Sequence, residues 1–158
     1  MTDRKPPRLE SDERATLLAA LQYVRESFVR KVEGLDDDAA GRRFVASDTT
    51  LLWLTRHLAH AELLWVAARF AGEPMVGDPV PAPTDDRIVD AIADYRAGWA
   101  RVDAIVAASP DLGAPCRAID VEPNVSLRWV LVHLIEETAR HAGHADILRE
   151  LVDGETGR

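Results

Sequence analysis

The chain has 158 residues, of which 47% are hydrophobic and 29% charged, enough apolar side chain to fill one core and enough charge to cover it. That balance excludes wholesale disorder. A formal net charge of −8 tells against a basic face for nucleic acid or anionic lipid, so neither is expected as a partner.

Taken from the N-terminus, MTDRKPPRLESDE places charges where the apolar core of a signal peptide would lie, and no later stretch reaches the ~18 apolar residues that span a bilayer. A cytoplasmic protein is expected, with 1–158 as a single domain and 1–10 as a loose arm. Ser11 and Asp12 then offer oxygens to the free N–H groups of a first helix, which carries Leu17, Leu18, Leu21, Val24, Phe28 and Val32 inward as far as Gly34.

A second helix starts near Ser47, Asp48 and Thr49, runs LLWLTRHLAHAELLWVAARFA, and stops at Gly72 and Pro74. Its inward arc passes through Leu51, Leu54, Leu58, Ala61, Trp65 and Ala68. Leu52, Leu63 and Val66 fall opposite that arc, and this apolar surplus predicts a homodimer built on helix faces. The proline-rich run GEPMVGDPVPAPTDD reads as an extended connection.

Thr84 is the candidate cap of a third helix that turns Ile88, Ile92, Tyr95, Trp99, Val102 and Val106 inward before Pro110. The segment from Pro110 to Val125 reads as irregular, with Cys116 as an incidental thiol. Ser126 caps the fourth helix, LRWVLVHLIEETARHAGHADILRELV, which ends near Gly154. Four helices of roughly 20 to 25 residues give an all-α fold, a four-helix bundle. Periodicity leaves open whether its topology is plain up-down or contains a crossover. The four tryptophans read as packing residues.

All five histidines lie in two helices, His57 and His60 in the second and His133, His141 and His144 in the fourth. His57 sits at the edge of the inward arc, and Glu137 and His141 fall inside that of the fourth helix. A residue pair four apart stacks on adjacent turns, close enough to hold one ion. Since the one cysteine cannot supply a thiolate cluster, any metal must be held by His, Asp or Glu. A buried carboxylate needs a cation, and a divalent metal held by His57, Glu137 and His141 would satisfy all three. Spacing alone leaves a plainer reading open, in which the histidines are hydrogen-bonded edge residues and Glu137 pairs with Arg56 or Arg140. The Glu-x-x-His pairs of ferritin-like di-metal bundles are absent from the positions after Glu62, Glu136 and Glu137.

The strings HLAHAELLW at 57–65 and SLRWVLVHLIEETARHAGHADILRE at 126–150 resemble the DinB superfamily of bacterial four-helix metalloproteins, in helix order over essentially the whole chain. That resemblance implies a divalent metal on a histidine of the second helix and on two residues four apart on the last. The branch resembling mycothiol-dependent maleylpyruvate isomerase has glutamate at the first of the latter two. Carried over by position, the metal ligands are His57, Glu137 and His141.

The resemblance further implies a low-molecular-weight thiol cosubstrate, such as mycothiol or bacillithiol, activated by the metal for transfer. Zinc is the expected metal, and nickel, manganese, iron and cobalt suit the same donors. His144 is a candidate acid/base, fourth ligand or hydrogen-bond partner of a carboxylate. Arg140 is a candidate for binding a carboxylate of the thiol, or a surface ion pair. The sequence ends soon after the fourth helix, without the isomerase's additional C-terminal domain, so maleylpyruvate isomerisation is not expected. A thiol S-transferase is the leading reading. The alternatives are a hydrolase using the same metal on water and a non-catalytic dimerisation or binding module.

Overall fold

The computed structural model describes residues 5–9, 11–74, 86–118 and 124–157. Its helices are α1 (Glu13–Val32), α2 (Asp37–Ala40), α3 (Leu51–Glu62, continuing as a π-helix over Leu63–Phe70), α4 (Ile88–Ala107) and α5 (Leu127–Asp153). The fold is all-α, as expected. Among the described residues the sole β pairing is an isolated bridge between Pro115 and Ser126.

Three long helices start where a side-chain oxygen accepts an otherwise unpaired N–H. Asp12 takes the bond from Ala15 at 2.8 Å, Thr50 from Trp53 at 3.0 Å, and Ser126 from Trp129 at 3.4 Å. The candidate cap Thr84 lies outside the described residues. At Ile88 the first N–H of α4 instead donates to Asp37 Oδ1 at 2.8 Å. This oxygen comes from α2, a single turn that hydrophobic periodicity does not reveal. At the other end of the fold, Gly154 closes α5 with a φ of +77°, which a residue with a Cβ adopts only at a cost.

Polar contacts at the helix ends give the direction of each helix. Arg128 pairs with Glu13, and Arg149 donates to the carbonyls of Lys31 at 3.1 Å and Glu33 at 3.2 Å, so α1 and α5 run parallel. Arg14 reaches the carbonyl of Val106 and Arg96 pairs with Glu33, which makes α4 antiparallel to α1. Arg56 meets Asp94, and Arg101 meets Glu73 beyond the π-helix, so α3 and α4 run parallel. The order is up, down, down, up, and the chain leaves one end of the bundle at Pro74 and re-enters at the other by Asp86. The main packing is α1 on α5 and α3 on α4.

Apolar side chains form two clusters. One includes Phe28, Leu54, Tyr95 and Leu148, and the other Leu21, Val66, Val102 and Leu134. Where they meet, Arg25 and Glu62 are each 1% exposed. Arg25 Nε donates to Glu62 Oε1 at 2.9 Å, while its Nη1 reaches Asp103 at 2.9 Å. Its guanidinium also lies 5.5 Å from the ring centre of Trp99.

The π-helix alters which residues of the second helix face inward. Leu51, Leu54, Leu58 and Ala61 are buried as expected, but Trp65 and Ala68 are only partly so, and Val66, Ala67 and Phe70 take the core positions. A π turn advances through fewer degrees per residue, as in the Ala71 N–H bond to the Val66 carbonyl at 3.0 Å, so the inward positions fall behind the α-helical wheel. Most of the apolar surplus that predicts a homodimer is drawn into the core, with Leu63 half-buried against the cluster of Leu21 and Leu134. Val66 is 0% exposed, and Leu52 is 8% exposed in the cluster shared with Ala40 of α2. Pro6, Pro7 and Leu9 of the described part of the arm are exposed and line a cavity with Tyr23 and Val24 of α1.

Candidate metal centre

The antiparallel crossing of α3 and α5 sets His57 opposite one turn of α5. His57 Nε2 lies 3.0 Å from Glu137 Oε1, and His141 Nε2 lies 3.1 Å from that same oxygen. The ligand atoms of the three residues all fall within 4.8 Å of one another. The side chains are 26%, 15% and 12% exposed for His57, Glu137 and His141. Such shielding strengthens electrostatics without closing the site to a ligand.

Protonation suits Glu137 and His141 to the same task. Burial pushes the Glu137 carboxyl up, but hydrogen bonds and charge from His57 and His141 outweigh it and hold the group below the usual carboxylate range. Burial pushes the His141 imidazole down, and Glu137 offsets this only in part. An ionised carboxylate and a neutral imidazole are the forms that bind a cation. Two ring nitrogens aimed at one carboxylate oxygen form a donor set of N, N and O, which fits zinc and its first-row neighbours.

Around the trio, Trp53 stacks on His57 with ring centres 4.9 Å apart and planes within 6°. The sequence reads Trp53 as a packing residue like the other tryptophans, and the signal for its place here is the spacing of four from His57. His141 Nδ1 lies 3.2 Å from His144 Nδ1. Arg140 pairs with Glu136 and stands 3.5 Å from the second oxygen of Glu137. Arg56, a candidate partner of Glu137 in the plainer reading, is held instead by Asp86 and Asp94. His133 lies apart from the trio, packed against Trp65 at 4.6 Å and Trp129 at 5.0 Å. His60 also stays outside the trio, its imidazole pushed down by burial and by His57.

A family model described as mycothiol-S-transferase matches residues 16–154. Among solved structures, the crystal structure of a conserved protein from Enterococcus faecalis superposes with a TM-score of 0.63 at 18% identity, covering 92% of this chain and 99% of that one. At that identity the likeness speaks for the fold. No curated protein matches the chain.

Proposed function

The chain belongs to the mycothiol-S-transferase family, and from that premise we propose that it is a metal-dependent enzyme transferring a small electrophile to the sulfur of mycothiol or a related thiol. The observation that carries the reading is the convergence of the Glu137, His57 and His141 ligand atoms within 4.8 Å. Those three residues would hold the ion, with zinc the first choice for such donors. A divalent metal there keeps a net positive charge and supplies Lewis acidity that favours the thiolate over the thiol at neutral pH.

The remaining tasks fall to the protein's own side chains. Trp53 fixes the plane of the His57 ring. If His141 directs its Nε2 lone pair at a metal, its Nδ1 carries the proton and donates to His144 Nδ1. His144 then has its Nδ1 lone pair engaged and presents Nε2–H, so it serves as a hydrogen-bond donor to substrate and not as a base. Arg140 offers positive charge at the rim for a carboxylate of the thiol. In the transfer the thiol proton passes to water, a sulfur–carbon bond forms, and the leaving group departs with the electron pair of the bond it breaks. A reduced thiol cosubstrate suits the cytoplasm.

Titrating mycothiol, bacillithiol and glutathione into cobalt-substituted protein tests the reading. A sulfur-to-cobalt charge-transfer band with mycothiol is the expected result. Absence of the band with all three overturns it.

A further inference from the structure

Beside the metal centre a cavity of about 280 Å³ opens between the loop that precedes α3 and the C-terminal half of α5, lined by Val45, Ser47, Thr49, His144, Ile147 and Leu148. We propose that it receives the electrophile, as a compact, uncharged apolar group carrying a hydrogen-bond acceptor such as a carbonyl. The assignment rests on the S-transferase reading and names the second substrate's class.

Its walls state the preference. Val45 is 49% and Ile147 62% exposed, two large apolar side chains on opposite walls with much of their surface open to solvent, while Leu148 joins the pocket to the core. A dry cavity of ~150 Å³ holds a benzene ring, so this one has room for a ring with short substituents. Among the described residues no carboxylate, lysine or arginine lines it, and an ionised ligand would lose hydration there without a counter-charge.

The polar groups of the lining favour an acceptor. Ser47 Oγ and Thr49 Oγ1 are 2.9 Å apart; one hydroxyl donates to the other, and the second keeps a hydrogen to donate. His144, if its Nδ1 accepts from His141 Nδ1–H, has Nε2–H to offer. A ligand bringing a carbonyl answers these donors, and one that lacks an acceptor leaves them unpaired. The bond from His144 to His141 places the pocket one side chain from the metal ligands, which puts the electrophile beside the incoming sulfur.

Benzamide is an unreactive probe of this shape and chemistry. Titrated into the ¹⁵N-labelled, metal-loaded full chain, it is expected to shift the amides of 45–49 and 144–148, and to bind at least about tenfold more tightly than benzoate, whose charge must be desolvated. Ile147→Trp, which fills the cavity, is expected to weaken benzamide at least about tenfold with metal content unchanged. Once turnover is in hand, that variant raises KM for an aryl electrophile more than KM for the thiol. Shifts centred on another cavity, such as the one beside Glu33 and Arg96, overturn the assignment, as does an unchanged affinity in Ile147→Trp. Benzamide seated at 45–49 in a protein whose cobalt form admits no thiol upholds the pocket as a binding site and overturns the transfer.

Discussion

His57 Nε2 and Glu137 Oε1 stand 3.0 Å apart across eighty residues of chain, and the second imidazole, His141, meets the same oxygen. Three groups that would each lose hydration on burial are brought to one point. Replacing Glu137 with Gln keeps the volume and removes the charge, so affinity for zinc is expected to fall by at least ~tenfold, the lower end of what losing even an outer partner costs a metal site. Elemental analysis of the purified variant reads this directly, with helical circular dichroism as the control for folding. Full metal occupancy would remove Glu137 from the ligand set.

The contact from His141 Nδ1 to His144 Nδ1 gives a second expectation. His144 is exposed, so His144→Ala is expected to leave thermal stability within about 0.5 kcal/mol of the parent. It removes the ring nitrogen 3.2 Å from His141 Nδ1, and if that contact orients the ligand, metal affinity should fall about 10- to 100-fold. Competition with a chelating dye measures the affinity. An unaltered value would show that His144 does not orient the ligand.

How much of this was legible in the sequence follows from which signals are local. The caps at Asp12 and Ser126 and the stop at Gly154 depend on neighbouring residues, and the structure places them as the sequence reads. The trio of His57, Glu137 and His141 was legible because two of its members share a helix face and because the strings around them resemble a known superfamily. The parallel run of α3 and α4 was not legible, since periodicity carries no direction. Nor was the inward turn of Val66, because a π segment changes the angle per residue without changing the residue pattern in an obvious way. Val66→Asp is therefore expected to unfold the protein, as an unpaired carboxylate in the core would. A soluble, folded variant with altered sedimentation would instead place Val66 at an interface between copies.

α4 lacks a local cap among its described residues and borrows one from α2 through the bond from Ile88 N to Asp37 Oδ1. Asp37→Ala is expected to cost about 1 kcal/mol, the ordinary value of an N-terminal cap. Urea denaturation with an unchanged slope would report it. A loss near zero would mean that water replaces the carboxylate fully.

The buried pair of Arg25 and Glu62 gives the largest expected effect. Arg25→Met leaves Glu62 without its counter-charge and should destabilise the fold by about 3–5 kcal/mol, whereas Arg25→Met combined with Glu62→Leu should recover most of that loss. The pH dependence distinguishes charge from packing. Burial holds the Glu62 carboxyl above its usual range even with Arg25 present. With the folded-state value raised, the stability contributed by this group is present at acid pH and is lost as pH rises through that value. Removing the guanidinium raises it further, so the deficit of Arg25→Met should be smaller at about pH 5 than at about pH 8. Chemical denaturation at the two pH values supplies the comparison. An equal deficit at both would assign the effect to lost packing of the arginine stem and its contact with Trp99, with no part played by the stranded carboxylate.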